Sequence, residues 1–400
     1  MNAKEIHKMH CEWNKMEGTR KMDLQESRKK IDEIDKQMVE LFQNRMKVSV
    51  EVAKYKKKTG KKIYDKQREM QILDKLSGLV DGTFEKQGIR ELYTQIMSIS
   101  RKLQYGLLNE GEDCNHFTEV EALHTEGKKV VFFGEHGAYT EQAMFEFFGE
   151  DIDSYSVPTF KEVMEELKKG NAQYGVLPIE NSSTGGITDC FDLLMDYENY
   201  IVGEHEIKVE QCLLGKKGTN IEELKRVFSH QQGLMQCAEF LEQYPDMEQV
   251  PYKSTAMSAR KVMEDGDIHQ AAIASKRAAK YYGLEVLKEN INFESTNTTR
   301  FIIISRRKEY VKDSNKISIC FSIPHESGSL YNMLSNFIYN NLNLTKIESR
   351  PIEGKKWEYR FFVEVEGNLR EPGVQNALYG MTEEASECRV LGNFKTFKLM

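Results

Sequence analysis

The sequence predicts a multidomain chain with an all-α block first, a two-lobed α/β region next and an α+β block last. Three observations support this order. A long proline-free segment repeats apolar residues every seven positions, strand and helix patterns then alternate, and a βαββαβ pattern follows. At 400 residues, the chain is too long for one ordinary domain.

Composition excludes several classes of function. A net charge of -7 argues against a general binder of nucleic acid or anionic membranes. The seven cysteines are scattered and odd in number, so we expect reduced thiols and no metal or other cofactor. No apolar run is long enough to span a membrane, and residues 1–22 lack the apolar core of a signal peptide, which predicts a cytoplasmic protein. The role of this N-terminal extension stays open.

The all-α block is predicted over residues 23–106, with helices over residues 24–55, 66–76 and 84–104. The first helix carries two sets of apolar residues at heptad spacing, namely Leu24, Ile31, Met38 and Val52, and Ile34, Leu41, Val48 and Tyr55. A helix of this length cannot bury such a stripe alone. It must pack on another helix or another chain, which suggests a dimer.

Arg45 occupies the stripe position between Met38 and Val52, where an apolar residue is expected. A buried arginine requires an anion, and Lys56 points almost the same way from the same helix. Arg28 lies about 25 Å away along the axis at about 1.5 Å per residue, too far to share one small ligand within a chain. An antiparallel partner helix would bring Arg28 of a second chain across.

The second predicted helix begins with a charged signature. Asp65, Arg68 and Glu69 are spaced so that they share one face. Alone they fit a solvated charge cluster, but a cation inside the preceding apolar stripe favours a shared anion site. Together with Arg28, Arg45 and Lys56, this pattern resembles the all-helical chorismate mutase family over essentially the whole block.

The resemblance implies a Claisen rearrangement of chorismate, a dicarboxylate, into prephenate. No proton transfer or nucleophile is required, so catalysis consists of holding the reactive conformer and stabilising charge on the ether oxygen. The implied roles are carboxylate binding by Arg45 and by Arg28 of a second chain, donation to the ether oxygen by Lys56 and Gln104, binding of the ring hydroxyl by Asp65 and Glu69, completion of the charge pattern by Arg68, and pocket lining by Ser100.

After a predicted linker over residues 107–128, residues 129–306 alternate strands and helices, with Thr140 as an expected helix cap. This alternation predicts an α/β sheet whose ligand crevice lies beyond the strand ends. The pattern restarts after an extended crossing over residues 200–214, with a helix predicted over residues 231–241. This restart predicts two lobes facing one another as in periplasmic binding proteins. His136 and His230 could act as acid/base groups, although loop histidines are more often structural.

Residues 294–301 place hydroxyl and amide side chains and Arg300 at the entrance of an apolar strand. Alone, this segment favours a Thr/Asn-rich loop. It resembles prephenate dehydratase when read with the other polar turns, Glu180-Asn-Ser-Ser-Thr-Gly-Gly186, Ser229-His-Gln-Gln232, Gln236-Cys237, Ser254-Thr-Ala256, Ala271-Ala-Ile-Ala-Ser275 and Thr298-Thr-Arg-Phe301. Gln231 and Glu135 stand where the family commonly has proline, which changes turn stiffness more than chemistry.

This resemblance implies that prephenate loses carbon dioxide and its ring hydroxyl to give phenylpyruvate. Thr299 would hydrogen-bond the leaving oxygen, although a hydroxyl is too weakly acidic for full proton donation at neutral pH. Glu180 could be the acid only if burial raised its pKa toward neutrality, and the sequence leaves this choice open. The implied binders of the carboxylates and hydroxyl are Arg300, Asn181 and Gln236, with Ser229 alongside.

The last block, over residues 316–400, has the βαββαβ order of ferredoxin-like folds, which serve many roles. Two segments, Gly328-Ser329-Leu330 and Glu348-Ser349-Arg350-Pro351, resemble the effector motifs of the ACT domain in prephenate dehydratases. The resemblance implies a phenylalanine site at a dimer interface. Ser329 replaces the usual alanine of that motif.

The sequence therefore favours a bifunctional chorismate mutase and prephenate dehydratase, a homodimer or higher homo-oligomer, with phenylalanine feedback. Two alternatives remain: a non-catalytic small-molecule sensor, and a monofunctional dehydratase with a structural helical extension. The sequence does not decide between dimer and tetramer, whether prephenate passes directly between sites, or whether phenylalanine inhibits the mutase.

Overall fold

The computed structural model describes residues 24–108, 116–294 and 296–397. The chain divides into two compact units, Met1–Leu108 and Asn109–Met400. The predicted N-terminal extension over residues 1–22 and residues 109–115 of the predicted linker lie outside the described residues. Within the described ranges, no helix combines the length and the apolar character needed to span a bilayer.

The first unit contains three helices, as predicted, and they are α1 (Leu24–Thr59), α2 (Lys66–Ser77) and α3 (Thr83–Leu108). The side chain of Asp65 caps α2 by accepting a hydrogen bond from the backbone N–H of Arg68 at 3.0 Å. Helix α3 packs against both α1 and α2. The heptad stripe of α1 remains exposed in the single chain, with Leu41 68% exposed, so the stripe is not covered by the other two helices.

The second unit is built mainly from strands. In the described part they are β1 (Thr118–Val120), β2 (Lys129–Phe133), β3 (Asp153–Val157), β4 (Tyr174–Asn181), β5 (Gly185–Gly186), β6 (Tyr200–Lys208), β7 (Cys212–Gly215), β8 (Arg226–Ser229), β9 (Glu248–Pro251), β10 (Gln270–Ala274), β11 (Glu285–Lys288), β12 (Thr298–Ser305), β13 (Glu309–Val311), β14 (Lys316–Ser322), β15 (Leu344–Pro351), β16 (Tyr359–Glu366) and β17 (Glu387–Phe394). The α-helices are α4 (Tyr139–Phe148), α5 (Phe160–Lys169), α6 (Thr188–Asp196), α7 (Gln231–Gln236), α8 (Ala238–Leu241), α9 (Thr255–Asp265), α10 (Lys276–Tyr282), α11 (Ser329–Tyr339) and α12 (Pro372–Glu384).

Two α/β lobes make up the part of this unit that precedes β14, which confirms the two-lobed prediction. The first lobe holds the strand order β6-β12-β4-β2-β3, and the second lobe holds β11-β7-β10-β8-β9. The chain crosses between the lobes twice, after β6 and before β12. The polar ends of β4, β8 and β12 therefore meet near the crossings. The likeness to periplasmic binding proteins stays a prediction.

The last four strands and two helices form the predicted βαββαβ block, with strand order β15-β16-β14-β17 and antiparallel pairing throughout. This sheet continues into the first lobe, because β17 pairs with β6 at Gly392 and Ile201. A Cβ at Gly392 would lie 2.0 Å from the carbonyl oxygen of Ile201, so the junction requires glycine. The C-terminal block and the first lobe thus share one sheet.

Three local expectations are corrected. Thr140 does not cap α4, because the helix already begins at Tyr139; instead, the carboxylate of Glu141 accepts from the backbone N–H of Gly137 at 2.8 Å. The helix predicted over residues 231–241 breaks into α7 and α8 at Cys237. Residues 298–300 belong to β12 rather than to a loop before it, so the side chains of neighbouring residues there point to opposite faces of the sheet.

Candidate active sites

A cavity with an empty volume of about 700 Å³ opens between the helices of the first unit. Its described lining consists of Arg45, Ser49, Val52, Lys56, Ile63, Asp65, Arg68, Glu69, Ile72, Met97, Ser100, Arg101 and Gln104. Every residue of the helical block that the resemblance implied for the site is present except Arg28. That residue lies on the exposed first turns of α1, away from the cavity of its own chain.

The charges lining this cavity do not cancel. The described lining contributes four cationic side chains, from Arg45, Lys56, Arg68 and Arg101, and two carboxylates, from Asp65 and Glu69. The excess of two positive charges would be unfavourable in a partly desolvated cavity without an anion. The cavity is therefore complementary to a small dicarboxylate.

Arg45 is a desolvated cation without an ion-pair partner among the described residues. Its guanidinium donates to the hydroxyl of Ser100 and, at 3.5 Å, to the carbonyl oxygen of Ile96. Burial lowers the pKa of Arg45, and the charges of Tyr93 and Glu69 offset this only in part. The remaining guanidinium donors are available for an anionic ligand.

Arg101 is a functional candidate that the sequence reasoning missed. Its guanidinium is buried, lies 2.6 Å from both carboxylate oxygens of Glu69 and packs over the ring of Tyr64. The sequence pattern could have revealed it. Arg101 lies four residues after Met97 and four before Tyr105, so it falls on the apolar face of α3 that is buried. The pair fixes the position of Glu69, to which the resemblance assigns the ring hydroxyl.

A second cavity, with an empty volume of about 740 Å³, opens between the two lobes of the second unit. Its described lining consists of Tyr139, Asn181, Thr184, Ile187, Val209, Gln211, His230, Gln232, Gly233, Gln236, Ser254, Thr255 and Thr299. Asn181, Gln236 and Thr299 thus come together as the motifs implied. Lys, Arg, Asp and Glu are absent from this described lining, so the cavity wall is nearly neutral.

Asn181 and Thr299 form the best-defined hydrogen-bonded pair in this cavity. The side-chain oxygen of Asn181 accepts from the backbone N–H groups of Ser183 at 3.0 Å and Thr184 at 3.2 Å, which fixes the orientation of the amide. The amide nitrogen therefore faces Thr299 and donates to its hydroxyl oxygen at 2.9 Å. Because the Thr299 hydroxyl accepts this bond, its own hydrogen remains available to a ligand.

The floor of the cavity is held by side chains that the motifs did not reveal. Gln211, on the crossing after β6, donates to the side-chain oxygen of Gln236 at 3.3 Å. The hydroxyl of Tyr139 donates to the carbonyl oxygen of Glu210 at 2.8 Å. Neither residue belongs to the motifs compared in the sequence, so the folded chain is needed to show that they lie at the site. Ser229 lies beneath the lining, fully buried, and donates to the carbonyl oxygen of Ile273 at 2.8 Å.

The two histidines considered from sequence have mainly structural contacts. The Nδ1 atom of His230 accepts from the backbone N–H of Gln232 at 3.3 Å and so caps α7 at the cavity rim. His136 does not line the cavity; its Nδ1 atom lies 2.7 Å from the Glu141 carboxylate, and its ring stacks on Tyr281. These contacts support the structural alternative.

Arg300 does not face the second cavity, so the structure does not support its expected role as an anion anchor. Strand alternation places its guanidinium on the opposite face of β12 from Thr299. There it lies 2.9 Å from each of the carboxylates of Glu180, Glu204 and Glu364. Burial alone would lower the pKa of Arg300, but the Glu364 and Glu204 carboxylates outweigh this effect and raise it.

Glu180 also lies outside the described lining of the cavity. Burial tends to raise the pKa of this carboxyl, but the ammonium of Lys346, 2.8 Å away, and the guanidinium of Arg300 outweigh burial and lower it. Glu180 is therefore ionised at neutral pH, whereas a proton donor would need a raised pKa. Of the two candidates that the sequence left open, the structure favours Thr299.

A third cavity, of about 430 Å³, lies in the C-terminal block at the start of α11. Its described lining consists of Ile323, Pro324, His325, Glu326, Ser329, Leu330, Trp357, Glu358, Tyr359 and Phe361. The first effector motif thus contributes Ser329 and Leu330, whereas the second motif does not line this cavity. Instead, Arg350 pairs with Asp192 of α6 at 2.5 Å.

These features define a class of protein: an enzyme chain with one active-site cavity in a helical unit, another in a two-lobed α/β region, and a C-terminal α+β block. The family model of chorismate mutase type II matches residues 27–105, and that of prephenate dehydratase matches residues 130–309. The first match lies within the helical unit, and the second covers the two lobes of the second unit.

Comparison of the whole chain names the particular family. A bifunctional chorismate mutase/prephenate dehydratase of Aquifex aeolicus is 32% identical over 93% of this chain and 98% of the relative. The chain belongs to the family of bifunctional chorismate mutase/prephenate dehydratases.

Solved structures similar to the chain cover about two thirds of it. The prephenate dehydratase of Arthrobacter aurescens, solved with L-Phe, is 29% identical with a TM-score of 0.63, and the match covers 67% of this chain and 90% of that chain. GqqA, described as a novel type of quorum quenching acylase, is also 29% identical with a TM-score of 0.63, over 68% of this chain and 98% of its own.

The charge state of Glu180 yields a testable prediction. Glu180→Gln should lower dehydratase kcat by no more than about tenfold and leave the pH profile between about pH 6 and 9 unchanged in shape, because an ionised Glu180 cannot be the acid. Steady-state rates across this range test the expectation. A loss of more than about a hundredfold, with disappearance of a limb of the profile, would establish Glu180 as the proton donor.

The same variant has an expected stability signature. Because the pKa of Glu180 is lowered in the folded state, its carboxylate stabilises the fold above its unfolded pKa of about 4.3 and loses this contribution as the pH falls through the folded value. The difference in free energy of unfolding between wild type and variant should therefore be largest at neutral pH and shrink below about pH 4, as measured by urea titration.

Proposed function

We propose that the helical cavity is the chorismate mutase site of this enzyme and that the cavity between the lobes is its prephenate dehydratase site. The first assignment rests on the excess of two positive charges around a cavity that would hold a dicarboxylate. The second rests on the Asn181–Thr299 pair, whose hydroxyl hydrogen is available to a leaving oxygen. The chain would thus convert chorismate to prephenate and prephenate to phenylpyruvate, two steps of phenylalanine biosynthesis.

In the mutase site, the proposed mechanism is electrostatic. Arg45 holds one carboxylate, while Lys56 and Gln104 donate to the ether oxygen as its carbon–oxygen bond breaks. One N–H of Gln104 donates to the carbonyl oxygen of Ser100 at 3.1 Å, which positions the amide and leaves its second N–H for substrate. Asp65 and Glu69 bind the ring hydroxyl, and Arg68 balances their charge. Because these groups are fixed by protein contacts, little reorganisation accompanies the reaction.

A second copy of the chain would complete this site. Arg28 lies too far along α1 to reach the cavity of its own chain, at about 1.5 Å of rise per residue. The exposed heptad stripe of the same helix, which includes Ile31, Met38 and Leu41, is a surface that an antiparallel α1 would cover. We therefore infer a homodimer in which Arg28 of one copy binds the second carboxylate in the other.

In the dehydratase site, the ring carboxylate of prephenate leaves as carbon dioxide. The electron pair of that carbon–carbon bond enters the ring, which becomes aromatic as the carbon–oxygen bond to the hydroxyl breaks. The oxygen leaves as hydroxide with the electron pair of that bond. Thr299 donates a hydrogen bond to it, and Asn181 orients Thr299. The nearly neutral lining suits this reaction, because a cation bound to the departing carboxylate would stabilise the ground state more than the transition state.

The C-terminal block is proposed to be an ACT domain that binds phenylalanine. The cavity at the start of α11, lined by Ser329 and Leu330, supports this role, as does the similar dehydratase that was solved with L-Phe. Strand β15 carries Glu348 to Pro351 and contacts α6 of the first lobe through Arg350 and Asp192. The proposed domains are residues 23–106, 129–306 and 316–400, in a cytoplasmic enzyme.

The first prediction of this assignment concerns Arg45. Arg45→Ala should lower mutase kcat/KM by at least about a hundredfold, because a carboxylate loses its charged partner in a desolvated site. Arg45→Lys keeps the charge but lacks the planar fork, so intermediate activity is expected. Dehydratase activity measured with added prephenate serves as the internal control and should stay within about twofold of wild type. Near-normal mutase turnover in Arg45→Ala would contradict the assignment.

A reciprocal prediction concerns Thr299. Thr299→Ala removes the hydroxyl and should lower dehydratase kcat by about a hundredfold or more, while Thr299→Ser keeps the hydroxyl and should retain most of the rate. Mutase turnover should be unchanged in both variants. The rates are followed by phenylpyruvate formation from prephenate. Equal loss of both activities would indicate misfolding, and equal activity of the Ala and Ser variants would exclude a role for the hydroxyl.

The effector assignment predicts that L-phenylalanine lowers the dehydratase rate. At a hundredfold excess over Kd it should also raise the free energy of unfolding by about 2.7 kcal/mol, which raises the melting temperature. Leu330→Glu, which places a charge in the cavity at α11, should abolish both responses. This point variant is a sharper test than deletion of residues 316–400, because deletion also removes the Glu364 partner of Arg300. Full inhibition of the variant by L-phenylalanine would place the effector elsewhere.

A further inference from the structure

Six charged side chains form a cluster where the first lobe meets the C-terminal block. Arg300, Glu180 and Glu204 come from strands of the lobe, and Lys316, Lys346 and Glu364 come from strands of the C-terminal block. We call this group the interdomain ion cluster. The six side chains carry three positive and three negative charges, and their ion pairs join the lobe to the C-terminal block.

The contacts within the cluster are short and largely buried. Besides the three contacts of Arg300, the ammonium of Lys316 lies 2.7 Å from the Glu204 carboxylate. Arg300, Glu204 and Glu364 are 8%, 2% and 6% exposed. A charge buried to this degree is strongly destabilising if its partner is removed, so each of these side chains fixes the position of the others.

The cluster lies directly behind the hydrogen-bonded pair of the dehydratase site. In the pairing of β12 with β4, Thr299 is opposite Asn181 and Arg300 is opposite Glu180. The ladder shifts register immediately afterwards, between Arg300 and Phe301. Such a bulge locally disrupts backbone pairing. The ion pairs behind it therefore contribute to holding the end of β12 in place.

We propose that Glu364 and Lys316 of the C-terminal block are positioning residues for the dehydratase reaction. They hold Arg300 and Glu204, and through the backbone of β12 they set the position of the Thr299 hydroxyl at the cavity. The inference rests on the proposed role of Thr299. It gives the C-terminal block a part in catalysis that is separate from effector binding.

The first test compares two Glu→Gln variants of the C-terminal block. Glu364→Gln should lower dehydratase kcat by about tenfold with KM for prephenate within about twofold, since a small displacement of a catalytic group affects the rate more than binding. Glu364→Asp, which keeps the charge, should recover part of the rate. The matched control is Glu387→Gln, because Glu387 pairs with Arg360 in the same block at 3.3 Å and lies outside the cluster. Wild-type kcat in Glu364→Gln would overturn the proposal.

A double-mutant cycle with Thr299→Ala separates positioning from general destabilisation. If Glu364 acts through the Thr299 hydroxyl, adding Glu364→Gln to Thr299→Ala should lower the residual rate by less than about twofold. The same tenfold loss in both backgrounds would show a structural role only. Full activity of Thr299→Ala alone would instead refute the proposed function, so the two failures are distinguishable.

Thermal unfolding of each variant checks that the second unit is folded. If Glu364→Gln does not fold, Lys316→Gln applies the same test, because Glu204 then keeps its pair with Arg300. This variant should also lower kcat with little change in KM and show the same non-additivity with Thr299→Ala. An unchanged kcat in folded Lys316→Gln would equally overturn the proposal.

Discussion

A desolvated arginine requires an anion, and the two units of this chain meet that requirement in opposite ways. Arg45 is half-buried and donates only to uncharged groups among the described residues, and we propose that a ligand supplies the anion it lacks. Arg300 is more deeply buried and contacts three carboxylates of its own unit. The first arrangement supports the proposed binding site, and the second joins the first lobe to the C-terminal block. A desolvated arginine can therefore either remain available to an anionic ligand, as Arg45 does, or join parts of the fold, as Arg300 does.

The two active-site cavities also differ in the charge that they present. The helical cavity carries a positive excess, which suits a rearrangement that neither adds nor removes charged groups from a dicarboxylate. The cavity between the lobes is nearly neutral, which suits a reaction in which one carboxylate must depart as neutral carbon dioxide. The charge of each lining supports the proposed assignment of that cavity to one step.

Much of the fold followed from local patterns. The helix and strand assignments of the sequence agree with the structure to within a few residues for most elements, because apolar periodicity and turn residues act locally. The helical cavity was also largely predictable, since a helix has a fixed periodicity and its facing residues can be counted along the sequence. Arg101 could have been found by the same reasoning that found Arg45. Arg28 was correctly placed far from the cavity of its own chain.

The dehydratase site was predicted less completely, for a physical reason. Residue patterns alone predicted the α/β lobes, the polar turns and a functional role for the segment around Thr299. It could not decide that β12 begins at Thr298, and a strand sends consecutive side chains to opposite faces. Thr299 therefore reaches the cavity, whereas Arg300 turns toward Glu204 and Glu364, which are distant in sequence. Those carboxylates come together only in the folded chain, where they surround Arg300 and keep it in the protein interior.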